Sequence, residues 1–129
     1  VICTFFIDGT PVTWKRARSN GARRWTDPRD RQWRDALRLG AMAARPKGWP
    51  LSARYTVAID VLVKRDVGDV DNFAKALLDA AKGVLWDDDV AVFDLHVART
   101  RADRPGMSVH VEADETVRRA AKRVRKVAA

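Results

Sequence analysis

The residues best suited to chemistry are carboxylates in two short segments. The first reads Gly68-Asp69-Val70-Asp71-Asn72-Phe73-Ala74-Lys75 and joins an expected strand to an expected helix. Asp69 and Asp71 are two residues apart in chain expected to be extended, so their side chains should point the same way. Both lie where the next helix presents free N–H groups, which stabilise negative charge. An N-cap role accounts for one aspartate; it leaves the second, and Asn72 after it, unexplained. Lys75 follows Asp71 by one helical turn, so its ammonium can lie over the same site. The plainer reading of Lys75 is a surface ion pair contributing less than about 1 kcal/mol. The second segment is Asp87-Asp88-Asp89, held between Leu85-Trp86 and Val90-Ala91-Val92. A run of three acids is ordinarily a hydrated turn. Here apolar residues pin both ends, and the run follows the helix that begins at Asp71, so the chain can return a carboxylate to the sheet edge.

Four or five carboxylates, with one cysteine and two histidines in the whole chain, favour a hard, oxygen-preferring cation, Mg²⁺ or Mn²⁺. Other aspartate motifs fail. An EF-hand counted from Asp69 needs Gly at the sixth position and Glu at the twelfth, where Ala74 and Ala80 stand. Neither a P-loop nor a GxGxxG fingerprint occurs. His96 and His110 fall on separate expected strands without metal spacing and read as structural. Cys3 lies in an expected strand, buried and inert. As a lone cysteine it excludes an intrachain disulfide and a cysteine zinc cluster. That suits a reducing cytoplasm.

Charge is segregated along the 129 residues, whose formal net charge is +8. Residues 1–50 hold 11 Lys and Arg against 4 Asp, and residues 115–129 hold 6 against 1 Glu. Residues 51–114 hold 8 Lys and Arg against 12 Asp and Glu, so an acidic centre lies between two basic arms. Such a chain suits a polyanion with a cation between carboxylates and phosphates; an ordinary basic domain with an acidic turn is the plainer alternative. The length fits a single domain, 1–129, large enough for a core without staples. No apolar run can span a bilayer. The first residues lack the charged and apolar regions of a signal peptide. The chain opens at Val1 rather than Met, as expected if a few native residues precede it.

Elements must position these groups. Val1–Ile7 reads as a strand closed by Asp8-Gly9. Residues 10–27 read as a basic loop. Thr26-Asp27-Pro28 begins a helix running to about Arg45, with Trp33, Leu37 and Ala41 on one face. Tyr55, Val57, Ile59, Val61 and Val63 alternate as a half-buried strand. A loop at 65–68 leads to a second helix from about Asp71 to Lys82, stopped by Gly83, with an apolar stripe of Phe73, Leu77, Ala80 and Val84. Residues 90–100 and 107–113 are expected to be two strands of a hairpin. A basic C-terminal helix is expected over about 114–129. The fold class is α+β, a mixed sheet of about four strands with two or three helices.

The residues 69–80, Asp-Val-Asp-Asn-Phe-Ala-Lys-Ala-Leu-Leu-Asp-Ala, followed by Gly-Val-Leu-Trp-Asp-Asp-Asp-Val-Ala-Val at 83–92, resemble the signature of the RusA family of Holliday junction resolvases. The opening, Phe6-Ile7-Asp8-Gly9 and then Pro11-Val12-Thr13-Trp14-Lys15-Arg16-Ala17-Arg18, is similar too. The resemblance covers about residues 5–112. It implies an endodeoxyribonuclease that cuts four-way DNA junctions as a homodimer with Mg²⁺ or Mn²⁺, without a small-molecule cofactor or a membrane. By resemblance, Asp69 and Asp71 bind metal and Lys75 is the helical lysine of the site. The downstream acid falls on Asp88 or Asp89; Asp89 is favoured because it directly precedes the expected strand, with Asp88 in support.

Metal-assisted hydrolysis needs no histidine base, because metal-bound water is already acidified. Lys75 would stabilise phosphate charge or orient water. Phosphate contacts are expected from Lys15, Arg16, Arg18, Arg23 and Arg24 in the first loop. The last helix would add Arg118, Arg119, Lys122, Arg123, Arg125 and Lys126. The alternative for that last run is a solvated helix face over Val117, Ala121 and Val124. Trp14 or Trp25 could stack on an unpaired base, or be packing. The rival functions are a nuclease for other branched DNA and a catalytically silent DNA-binding protein of the same fold.

Overall fold

The apolar residues at every second position of Ala53–Val63 make the central strand of the fold. Every second residue from Ala53 to Val63 is buried and those between are exposed or half-buried. The computed structural model describes residues 1–14, 18–20, 23–25 and 27–118, the short 18–20 and 23–25 segments and residues 117–118 by backbone alone. Its elements are β1 (Ile2–Asp8), β2 (Arg18–Asn20), β3 (Arg23–Trp25), α1 (Pro28–Ala44), β4 (Ala53–Val63), α2 (Val70–Ala80), β5 (Val92–Arg101) and β6 (Gly106–Arg118). The main sheet has the order β1-β6-β4-β5, with β4 and β5 parallel and the other pairs antiparallel. The architecture is α+β, as expected: a four-stranded mixed sheet with two helices.

α1 begins where the sequence places it. The Asp27 carboxylate accepts from Arg29 N at 2.9 Å, and Pro28 takes the first position, where no N–H is needed. Trp33, Leu37 and Ala41 are buried on one face. α2 buries Phe73, Ala74, Ala76, Leu77 and Ala80. Each fully buried leucine, such as Leu37 and Leu77, contributes about 1.5–3 kcal/mol of apolar transfer. Helices and sheet enclose one core, which also takes in Tyr55, Trp86, Met107, Val109 and Val111. Cys3 is buried within it, and burial raises its thiol pKa, which keeps it protonated and unreactive.

Three expectations give way. Residues 90–113 do not form a hairpin, because β4 lies between β5 and β6. β4, α2 and β5 form a crossover that sets β5 parallel on one edge of β4. The turn after β5 then passes the end of β4, where Ala102 N–H donates to Val63 O at 3.0 Å, and β6 pairs on β4's other side. β6 alternates buried Met107, Val109, Val111 and Ala113, as an interior strand must, whereas β5 is exposed along most of its length. Second, β6 runs on to Arg118, so residues 114–118 are strand where a helix was expected to begin. Residues 119–129 of that expected helix lie outside the described residues. Third, part of the expected loop 10–27 is the short antiparallel pair β2 and β3.

Candidate active site

α2 starts at the end of the loop after β4. Gly68 there has φ +88°, and Arg99 of β5 donates to its carbonyl. Asp69 is the N-cap residue, extended at φ −87° and ψ 137°, while Asp71 already lies in the first helical turn. The two aspartates are therefore not both in extended chain, and the shared direction expected of them does not arise that way. Asp69 makes no capping bond with its side chain; its backbone carbonyl accepts from Asn72 N and Phe73 N, both at 3.1 Å. A cap role therefore does not explain its carboxylate. Asp71 sits at the positive end of the helix dipole, which favours its charge.

The turn after α2 is held by Trp86, one of the apolar residues expected to pin the acidic run, and by side chains that the sequence did not single out. Arg38 Nη1 of α1 donates to Ala80 O at 3.2 Å and Lys82 O at 2.9 Å. Arg45 Nη1 donates to Val84 O at 2.9 Å, and Trp49 Nε1 to Leu85 O at 2.8 Å. Trp86 is wholly buried, stands edge-on to Tyr55 with 5.9 Å between ring centroids, and donates from Nε1 to Leu78 O at 3.2 Å. Free carbonyls at a helix C-terminus attract such cations. No local pattern marks Arg38 or Arg45 for this work, since their partners lie about forty residues away.

Anchored by Trp86, the chain turns through the acidic run. Asp89 begins a single 3₁₀ turn, Asp89–Ala91, that separates it from β5, so it does not directly precede the strand. The outcome is a groove of about 450 Å³ between α2 and the edge strand β5, lined by Asp71, Lys75 and Asp89 with Val70, Leu78, Leu95 and Val97 among its walls. Three of the residues singled out from two separate segments thus share one surface. Asp88 does not line it; its carboxylate faces Lys82 at 3.7 Å. Asp69 does not line it either, though its neighbour Val70 does. Leu78 follows Asp71 by seven positions of helix, so the groove extends along α2 by about 10 Å. Among the described residues, no three His, Cys, Asp or Glu side chains cluster closely enough to enclose a metal ion.

The donor set still fits one kind of ion. Mg²⁺ keeps several waters and is commonly bound through one or two carboxylates rather than an all-protein cage. Asp71 and Asp89 are oxygen donors on a groove open to solvent. His96 and His110 lie elsewhere, on the sheet face, beside Asp94 at 2.9 Å and Glu112 at 3.2 Å. They are paired with carboxylates of their own strands. Of the expected phosphate contacts, Lys15, Arg16, Arg119, Lys122, Arg123, Arg125 and Lys126 lie outside the described residues. So do the side chains of Arg18, Arg23, Arg24 and Arg118, and that of Trp25.

A family model described as endodeoxyribonuclease RusA matches residues 8–112. The chain belongs to the RusA endodeoxyribonuclease family. It is a nuclease of the class that acts on Holliday junctions. The RusA match takes in Asp69, Asp71, Lys75, Asp88 and Asp89 and ends before the basic C-terminal arm. No curated protein matches the chain. Among the described residues, no helix is long and apolar enough to cross a membrane.

Proposed function

We propose that the chain is a Mg²⁺-dependent, structure-selective endonuclease that resolves four-way DNA junctions by paired symmetric nicks. The observation that carries this reading is the groove that Asp71, Lys75 and Asp89 line together. Asp71 and Asp89 would hold the ion, with water filling its remaining positions. Asp69, one residue from the groove wall, is the next candidate ligand, and Asp88 the one after. Mn²⁺ has the same donor preference and would substitute. When bound, the ion supplies an acidified water and neutralises developing phosphate charge. Lys75 places a positive charge on the same groove, where it would draw in the scissile phosphate and stabilise its charge. The positive end of the α2 dipole adds to that attraction. The basic arms would track the phosphate backbone without reading sequence.

A four-way junction has near two-fold symmetry, and resolution requires cuts on opposing strands. A symmetric homodimer would supply two such grooves. The test is single-turnover cleavage of four-way, flapped and linear duplex DNA by wild type, Asp71→Asn, Asp89→Asn and Lys75→Ala. We expect wild type to cut the junction alone, and each variant to bind it while losing at least about a hundredfold in rate. Equal cutting of flap and junction would support a broader branched-DNA nuclease. Tight binding with no cutting by wild type would support a silent binding protein.

A further inference from the structure

Lys75 carries an ammonium on a flexible four-carbon stem, and such a group needs a holder if it is to meet a phosphate at one place. Asp79, one turn on, approaches it at 3.9 Å. The second neighbour comes from the far end of the sequence: Lys75 Nζ lies 4.7 Å from the centroid of the Trp14 ring. Trp14 is itself tied to α2, because its backbone N–H donates to Asn72 O at 3.0 Å, in the same turn as Asp71. The half-buried indole packs against the core, and with Thr13, Trp33 and Ala76 it lines a small recess. The ring is therefore fixed relative to the helix that carries both Asp71 and Lys75.

The two neighbours act differently. A carboxylate holds an ammonium by cancelling its charge. A ring face attracts the cation through its quadrupole and leaves the full charge in place. We propose that Trp14 is a positioning residue, holding the Lys75 ammonium on the groove while leaving its charge free for phosphate. This rests on the reading that Lys75 acts on the phosphate. It gives the first loop a task in the site separate from backbone binding, and it replaces the expectation that Trp14 offers that ring face to a base.

The test is single-turnover nicking of a labelled four-way junction by Trp14→Phe, Trp14→Leu, Lys75→Ala and the double variant Trp14→Leu/Lys75→Ala. Melting temperature and junction affinity are measured for each. Trp14→Leu should lose about tenfold in rate with junction affinity unchanged, and Trp14→Phe should stay within about threefold of wild type. In the Lys75→Ala background, Trp14→Leu should cost nothing further. Trp14→Met serves the same purpose if Trp14→Leu does not fold. A loss that persists undiminished without Lys75, or a Phe variant as impaired as the Leu variant, would overturn the proposal. A loss seen in affinity rather than rate would do so too, and would return Trp14 to stacking on a base. If Lys75→Ala cuts at the wild-type rate, the parent reading of Lys75 has failed. The ring-current shift of the Lys75 ε-protons would then tell whether the contact itself exists: present in Trp14→Phe and absent in Trp14→Leu if it does.

Discussion

Replacing Gly68 by alanine tests whether the loop before α2 is built as described. The backbone there is at φ +88°, a region that costs an L-residue about 1–2 kcal/mol. The added Cβ would also stand 2.6 Å and 2.7 Å from two ring atoms of Phe73 and 3.0 Å from Thr13 Cγ2. Phe73 is buried in the first half of α2 and cannot swing clear without disturbing the core. Overpacking of this kind costs about 1–3 kcal/mol. Gly68→Ala should therefore lose about 2–5 kcal/mol, a fall of about 7–18 °C in melting temperature for a domain of this size. Gly48→Ala is the control. It has φ +79° with nothing within 4 Å of its added Cβ, so it should lose the backbone cost alone. Urea and thermal unfolding followed by circular dichroism would give both values. If Gly68→Ala is no less stable than Gly48→Ala, the packing of Phe73 against the loop is wrong, and with it the placement of the turn bearing Asp71.

Arg38→Ala should lower stability by about 1–3 kcal/mol, because it removes charge-assisted bonds to Ala80 O and Lys82 O. The same variant should leave the salt dependence of junction binding unchanged, which a phosphate-contacting arginine would not. Junction affinity itself should fall about 10³–10⁵-fold between about 50 and 200 mM salt if six to ten phosphates are engaged, and a flat response would contradict the electrostatic model. Cys3, with its thiol pKa raised by burial, should resist a thiol reagent at about pH 8 in the folded chain and react at the ordinary rate in urea. Rapid labelling without denaturant would show that β1 is not seated as described.

Local chemistry made much of this fold legible. Alternation fixed β4, and Asp27-Pro28 with Trp33, Leu37 and Ala41 fixed α1, because caps and apolar faces act over a few residues. Pairing of strands does not. Residues 90–100 and 107–113 read as a hairpin because a short turn joins them, yet β4 takes both as neighbours: α2 carries the chain across to one side and β6 returns on the other. The end of β6 was missed for a related reason. Residues 114–118 are mostly polar and helix-compatible, but β4 pairs with Asp114 through Arg54 and, across a register shift, with Arg118 through Ala53. In the site, residue type and spacing mark Asp71, Lys75 and the run Asp87-Asp88-Asp89, and the choice of Asp89 within that run comes from the family resemblance. Asp69 was read as facing with Asp71, whereas helix α2 begins between them. The contact of Trp14 with Lys75 spans sixty-one positions, and no periodicity could have announced it.

The central claim is met most directly by one gel. An end-labelled synthetic four-way junction is incubated with the chain in Mg²⁺, beside an EDTA control, a linear duplex and Asp71→Asn. Paired, symmetric nicks from wild type on the junction alone, absent with EDTA and with Asp71→Asn, are what the account predicts. Cutting by Asp71→Asn at the wild-type rate, or in the presence of EDTA, would contradict it.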